Sequence, residues 1–84
     1  MQAYAVYVHE RVLDFVLKAG RQGELVSNFL HRCGHDPYAE GDFKDSDESG
    51  RPLEVKLVGP YAVTYWADHA VREIKVINVE PAGT

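Results

Sequence analysis

The sequence predicts an α+β fold in which a helical hairpin packs on one face of a mainly antiparallel four-stranded sheet. In the first half of the chain, apolar residues recur at the spacing of amphipathic helices. In the second half, runs rich in β-branched and aromatic residues follow one another with short links, as in antiparallel hairpins. The 84 residues suffice for a packed core, so we expect residues 1–84 to form one domain.

The first half is predicted to contain one strand and two helices. Residues 3–9 alternate small and large side chains, which favours a strand. The helical hairpin is expected within residues 10–34, where a glycine follows each helix as a natural stop. Its helices are Glu10–Ala19 and Glu24–Cys33, and the short link Gly20–Gly23 predicts that they run antiparallel.

The second half is predicted to begin with an acidic loop and to continue as a three-stranded antiparallel part. Residues 41–50 are rich in Asp, Glu, Ser and Gly, which is typical of an exposed loop. The last strand is apolar on both faces, which favours an interior position in the sheet. The strands within residues 51–80 are Leu53–Val58, Tyr61–Trp66 and Arg72–Val79, followed by a tail at 81–84.

The composition restricts the class of function. Acidic residues outnumber basic ones by 13 to 9, giving a net charge of −4, whereas proteins that bind nucleic acid through phosphates usually carry a basic surplus. No apolar stretch is long enough to cross a membrane, and no signal peptide is evident. The single cysteine, Cys33, excludes an internal disulfide and suits a reducing compartment, so we expect a cytoplasmic protein without membrane contact.

Two segments carry metal-ligating residue types, but neither predicts a metal site. His31–Asp36 has histidines on both sides of Cys33, yet no second Cys/His pair completes a closed zinc site. Asp45–Gly50 resembles the start of a calcium loop, but Lys56 stands at the twelfth position, where such a loop requires a bidentate Glu. We therefore expect no metal and no small-molecule cofactor.

Arg51 and Lys56 are the first candidates for a functional site. Arg51 follows a glycine turn and can either hold an anion or pair with the loop acids, and the pairing is the favoured interpretation. The apolar neighbours of Lys56 are expected to face the helices, so Lys56 and Glu54 are expected to face outward. There they either neutralise each other or serve a function.

Trp66 and His69 are further candidates near the end of one strand. Tyr61 and Tyr65 share a strand face and are expected in the core, which places Trp66 on the other face. If that face is open, Trp66 can stack on a ligand or contact a partner. His69 lies at a hairpin tip, where a solvated histidine is the simpler alternative.

The pattern resembles the RelE/ParE superfamily of type II toxin–antitoxin toxins over nearly the whole chain. The resemblance lies in the β-α-α-β-β-β order, in the early helical hairpin, and in Leu53–Leu57, Gly59–Tyr65, Asp68 and Ile74–Val79. It implies a RelE/ParE-like fold and a cognate antitoxin as partner. An acidic toxin surface favours an antitoxin with a basic wrapping segment.

The resemblance also bears on chemistry. RelE-type toxins cleave messenger RNA in the ribosomal decoding site with basic, Tyr and His side chains. Lys56 matches a basic strand position of that branch, whereas Glu54 and Ala62 stand where it carries bases, and Glu80–Thr84 lacks the basic and aromatic residues of its catalytic tail. We therefore expect a toxin that binds its target, as the ParE branch binds gyrase, rather than a strong nuclease.

Two alternatives stay open, so the sequence does not decide whether the chain is an enzyme. One is a ribosome-dependent mRNA endoribonuclease with a rearranged catalytic set, Arg51, Lys56 and His69. The other is a protein-interaction module without toxicity. The residues predicted to contact a partner or target are Glu54, Trp66 and Arg72.

Overall fold

The computed structural model describes residues 3–83, which form two helices and one five-stranded sheet. The elements in chain order are β1 (Ala5–Val8), α1 (Glu10–Lys18), α2 (Arg21–His35), β2 (Phe43–Ser46), β3 (Pro52–Val58), β4 (Tyr61–Asp68) and β5 (Glu73–Pro81). The strand order in the sheet is β1-β5-β4-β3-β2. β1 runs parallel to β5, and the other neighbouring pairs are antiparallel. The predicted α+β fold with a mainly antiparallel sheet is confirmed, with one strand more than expected.

The additional strand, β2, lies inside the segment 41–50 that the sequence predicted to be an acidic loop. It pairs antiparallel with β3, and a tight turn joins the two strands. Gly50 adopts a φ of 85° in this turn, and the Asp47 carboxylate accepts hydrogen bonds from the backbone N–H groups of Ser49 and Arg51. Every residue of β2 is exposed, so no apolar alternation marks it in the sequence.

The helical hairpin is tighter than the sequence predicted. α2 begins at Arg21 rather than Glu24, because Gly20 alone reverses the chain with a φ of 59°. The first turn of α2 is polar and therefore lacks the apolar spacing that identifies the rest of the helix. α2 continues through Gly34 to His35, so the prediction that a glycine stops it after Cys33 is wrong; Gly34 does not adopt the positive φ of a helix stop. Neither helix in the described residues 3–83 combines the length and apolarity that a membrane span requires.

One face of the central strands β4 and β5 forms the core together with the hairpin. Val63 and Tyr65 of β4 are 0% and 4% exposed, and Ile74 of β5 is 1% exposed. The Phe29 ring of α2 packs edge-on against Tyr65, with 5.6 Å between ring centroids. The predicted core position of Tyr65 is confirmed, and alternation along β4 places Trp66 on the face away from the helices.

The charged residues of β3, Glu54 and Lys56, lie on the helix-covered face, and the prediction that they face away from the helices is wrong. Residues opposite each other in a ladder share a face. Glu54 lies opposite Tyr65, and Lys56 lies opposite Val63, both of which belong to the core. The apolar Leu53 is buried on the other face. β3 adjoins the outer strand β2, so the two charged side chains still reach water at the margin of the helix layer.

Replacing Gly34 by alanine is expected to destabilise the protein, although alanine favours helices. A Cβ atom at Gly34 would lie 2.8 Å from the Tyr4 carbonyl oxygen, so α2 and the start of β1 would have to separate. We expect Gly34→Ala to lower the free energy of unfolding in urea by about 1–3 kcal/mol. Asn28→Ala, at an exposed position of α2, is the matched control and should change it by less than about 0.5 kcal/mol. Equal stabilities of the two variants would contradict the close approach.

Candidate functional site

Lys56 is bound to a carboxylate inside the molecule. Its Nζ lies 3.3 Å from Asp42 Oδ1, and the other Asp42 oxygen accepts a hydrogen bond of 2.8 Å from the Leu57 N–H. The Leu57 N–H is the main cause that lowers the pKa of Asp42, and Lys56 adds to it. Lys56 lines a cavity of about 230 Å³ beside Phe29 and Cys33. Lys56 is therefore paired with a carboxylate while its side chain is still 39% exposed.

Glu54 accepts hydrogen bonds from two donors at the margin of the helix layer. The Gly41 N–H donates at 2.7 Å, and Lys44 Nζ lies 2.8 and 2.6 Å from the two carboxylate oxygens. Partial burial acts to raise the pKa of Glu54, but these donors outweigh it and hold the pKa below its ordinary value. Glu54 and Lys56 do not pair with each other, which excludes the alternative that they neutralise one another. Each pairs instead with a residue of the segment that precedes β3.

Arg51 both pairs with a loop acid and covers the Trp66 ring. Its guanidinium lies 3.3 Å from Asp47 Oδ2, which confirms the pairing favoured from the sequence. The same guanidinium carbon stands 4.0 Å from the centroid of Trp66, within the range of cation–π attraction. Lys75 Nζ lies 4.9 Å from that centroid and is held by Asp68 at 3.1 Å. The Trp66 ring therefore lies close to two cationic side chains of the protein itself, Arg51 and Lys75.

His69 belongs to a cluster of rings that the sequence analysis missed. Its Nδ1 lies 2.8 Å from the Tyr4 hydroxyl, and its ring stacks on Tyr38 with 4.4 Å between centroids and 7° between planes. The hydrogen bond to Tyr38 is the main cause that raises the pKa of Tyr4. The three residues come from segments far apart in the chain, so no local motif marks them. Only the exposed aromatic character of Tyr38 could have suggested a site.

A cavity of about 300 Å³ lies at the end of the sheet where β3 begins and β4 ends. We call it the aromatic cavity. Its lining residues come from the segment before β2, from β2 to β4, and from the β4–β5 turn; they are Pro37, Tyr38, Ala39, Glu40, Lys44, Pro52, Glu54, Tyr65, Trp66, Ala67 and His69. It brings together three of the predicted site residues, Glu54, Trp66 and His69.

The predicted catalytic residues Arg51, Lys56 and His69 lie in different surroundings. His69 lines the aromatic cavity, and Arg51 contacts the Trp66 ring, which is also part of that lining. Lys56 lines the separate cavity beside α2. Arg72 lies in the β4–β5 turn with a φ of 57°, and no carboxylate of residues 3–83 lies within 4.0 Å of its guanidinium.

An apolar groove of about 430 Å³ runs between β1 and the two helices. Val6 and Val8 of β1, Leu13 of α1 and Leu30 of α2 line it. Leu13 is 49% exposed, and Leu17, one turn further along α1, is 74% exposed. Exposed apolar side chains grouped beside a groove are typical of a protein–protein contact surface.

The cysteine and histidine residues do not form a metal site in the described part of the chain. Cys33 is buried, and burial raises the pKa of its thiol to about 11, so the thiol stays protonated at neutral pH. Within residues 3–83, no three His, Cys, Asp or Glu side chains are grouped so that they could hold a metal ion.

Comparison with known proteins by sequence gives no relative: no family model matches the chain, and no curated protein matches it. Comparison of structures does find proteins of similar fold. The chain is similar to a chain of the archaeal RelE–RelB complex from Pyrococcus horikoshii OT3, with a TM-score of 0.78 and 19% identity, over 96% of this chain and 97% of the other. It is also similar to a mutant of the E. coli toxin RelE in the free state, with a TM-score of 0.64 and 20% identity, over 95% and 84% of the two chains. The chain therefore has the RelE-like toxin fold.

Glu54 is expected to make the stability of the protein depend on pH. Its pKa is lowered in the folded state, so its contribution is present above the unfolded pKa of about 4.3 and is lost as the pH falls through the folded value. Between pH 6 and pH 3, roughly the range around that value, the free energy of unfolding of the wild type should fall more steeply than that of Glu54→Gln. Glu24→Gln, which changes an exposed carboxylate of α2, should keep the slope of the wild type. Parallel curves for wild type and Glu54→Gln, from urea denaturation at each pH, would contradict the expectation.

Proposed function

We propose that the chain is the toxin of a type II toxin–antitoxin pair and that it acts by binding a target rather than as a strong nuclease. The RelE-like fold supports the first part. The second part is supported by the ion pairs of the basic residues predicted to be catalytic, and this observation carries the proposal. Lys56 and Arg51 are each held by a carboxylate, and they lie in different surroundings.

The energetic argument concerns the charge that develops when RNA is cut. Cleavage through the 2′-OH places extra negative charge on a phosphate, and cations positioned around it supply several kcal/mol of stabilisation. A cation that already pairs with a carboxylate offers much less of this stabilisation. The net charge of −4 adds a general repulsion toward the RNA backbone. A surface that binds a protein target requires neither convergent cations nor a basic surplus.

The proposed partner is an antitoxin protein. The Pyrococcus horikoshii structure is a complex of RelE with RelB, which supports the expectation that this chain also binds a partner. The apolar groove is the surface we assign to that contact, because Leu13 in its lining and Leu17, one turn further along α1, are exposed. Covering such side chains contributes roughly 25 cal/mol for each Å² removed from water.

Induction of the chain in a bacterial host is expected to stop growth while incorporation of labelled amino acids continues during the first minutes. Lys56→Ala should leave the growth arrest unchanged, because the binding mechanism does not use this charge. Co-expression of the protein encoded by the neighbouring reading frame should restore growth. Unimpaired growth on induction would reject the toxin assignment, and a fall in incorporation within minutes that Lys56→Ala reverses would reject the binding mechanism.

Two leucine variants locate the antitoxin contact in the same assay. Leu17→Ser removes an exposed apolar side chain beside the groove and should weaken the rescue by the antitoxin. Leu57→Ser removes a leucine that is 42% exposed on β3, away from the groove, and serves as the matched control. Equal rescue of both variants would show that the antitoxin binds elsewhere.

A second candidate function, an mRNA endoribonuclease, is favoured by the pair Tyr4 and His69. The 2.8 Å contact between them can orient the imidazole, and with the proton on Nδ1 the other ring nitrogen is left as a general base. This set differs from the one predicted from the sequence, since it replaces Lys56 and Arg51 by Tyr4.

The nuclease candidate has its own test. If it holds, His69→Ala should abolish a rapid fall in amino-acid incorporation and the appearance of cleaved messenger RNA, and Tyr4→Phe should reduce both. His31→Ala, which changes an exposed histidine of α2, is the control and should keep the wild-type effect. Cleavage that persists in His69→Ala would exclude this pair as the catalytic set.

A further inference from the structure

The aromatic cavity combines rings with carboxylates, and this combination attracts cations. Tyr38, Trp66 and His69 supply ring surfaces to its lining. Glu40 and Glu54 supply two carboxylates, against the single lysine that also lines it. Aromatic faces attract guanidinium and ammonium groups through the ring quadrupole, and carboxylates bind the same groups through charge-assisted hydrogen bonds.

We propose that the aromatic cavity binds a basic side chain, arginine in preference to lysine, from a partner protein. The proposal rests on the proposed function only in taking the antitoxin as that partner. A guanidinium is planar, so it can stack on a ring and present its N–H groups to a carboxylate at the same time. An ammonium is more strongly hydrated and acts as a point charge, so it gains less from the rings.

The protein's own cations support this assignment. The Arg51 guanidinium lies 4.0 Å from the Trp66 centroid, and Lys75 Nζ lies 4.9 Å from it. Tyr38 stacks on His69 through one face and is 69% exposed, so much of its surface remains open to a ligand. The cavity therefore offers the open face of Tyr38 to a ligand, while the Trp66 ring in the same lining already contacts the guanidinium of Arg51.

Glu40 is the carboxylate most accessible to an incoming cation. Its side chain is 78% exposed, and it lies 3.5 Å from Lys44 Nζ. Lys44 is bound more closely by Glu54, at 2.6 Å. Glu40 can therefore accept hydrogen bonds from a guanidinium without loss of the contact between Lys44 and Glu54.

The charges of the cavity disfavour a nucleotide as its occupant. A base could stack on Tyr38, but its phosphate would meet the carboxylates of Glu40 and Glu54. Lys44, the cation of the lining, is already paired with both of them. A basic peptide meets complementary charge in the same place, so the two occupants respond oppositely to the removal of a carboxylate.

Trp66 is the single tryptophan of the chain, so its fluorescence reports on the cavity directly. The experiment is a titration of the purified protein, at physiological salt, with a short arginine-rich peptide. The same peptide with lysine or with glutamate in place of arginine, and a single-stranded oligouridine RNA, are titrated in parallel. We expect a saturable change in Trp66 emission with the arginine peptide, a weaker response with lysine, and none with glutamate or RNA.

Two variants test the assigned contacts. Tyr38→Ala should weaken binding of the arginine peptide by roughly twofold to thirtyfold, the range expected for a cation–π contact. Glu40→Gln should weaken it by roughly 1.5-fold to fivefold, the range expected for an exposed charged contact. Tyr38→Phe keeps the ring and should bind like the wild type. Glu24→Gln removes an exposed carboxylate far from the cavity lining and is the matched control for Glu40→Gln.

Three results would overturn the proposal. The first is that the RNA binds at least as tightly as the arginine peptide, and the second is that Tyr38→Ala and Glu40→Gln both keep wild-type affinity. The third is that Trp66 emission does not respond to any arginine peptide. Thermal unfolding of each variant shows whether it is folded. The assay uses isolated protein, so it is independent of toxicity. A chain that binds the peptide but does not arrest growth would contradict the proposed function alone, and the reverse result would contradict the cavity proposal alone.

Discussion

Burial of one face of β4 and β5 beneath the helical hairpin determines where the side chains of the other strands lie. Val63 and Ile74, at 0% and 1% exposure, leave no freedom for these strands to rotate or slip. Because side chains alternate along a strand and cross-strand partners share a face, the faces of β1 and β3 follow from this one contact. A register shift between Thr64 and Tyr65 alters the β4–β5 pairing locally, while Val63 and Tyr65 stay in the core on either side of it.

The acidic segment before β3 acts as a source of partners for the basic residues of the sheet. Asp42 holds Lys56, and Asp47 holds Arg51 while it also fixes the turn between β2 and β3. The hydrogen bond to the Leu57 N–H lowers the pKa of Asp42, and that to Ser49 lowers the pKa of Asp47. These carboxylates are therefore part of the structure, and they limit the cationic surface that the protein can offer to RNA.

The fold and the chemistry of the surface support different parts of the functional argument. The TM-score of 0.78 to the archaeal RelE chain, over 96% of this chain, establishes a shared architecture. Function depends on side chains placed on that architecture, and here the accessible groups are the rings and carboxylates of the aromatic cavity and the apolar side chains of the groove. Apolar side chains beside a groove, and rings beside carboxylates, are groups that commonly contact other proteins.

The sequence by itself determined the element types and the core side of β4. Apolar spacing identified the two helices, β-branched runs identified three of the strands, and the glycine at position 50 marked the turn before β3. These features follow from local preferences, which a single sequence expresses directly. The resemblance of its residue pattern to the RelE/ParE superfamily also predicted the RelE-like fold, which the structural comparison confirms.

The tertiary structure alone decided the strand β2, the face of Lys56 and the grouping of Tyr4, Tyr38 and His69. An exposed strand such as β2 is held by backbone pairing, which side-chain patterns do not express. Alternation shows that Glu54 and Lys56 share a face, but pairing with β4 selects which face, since a shift of one residue would exchange the two. The ring cluster joins three distant segments, so it exists only once the chain has folded.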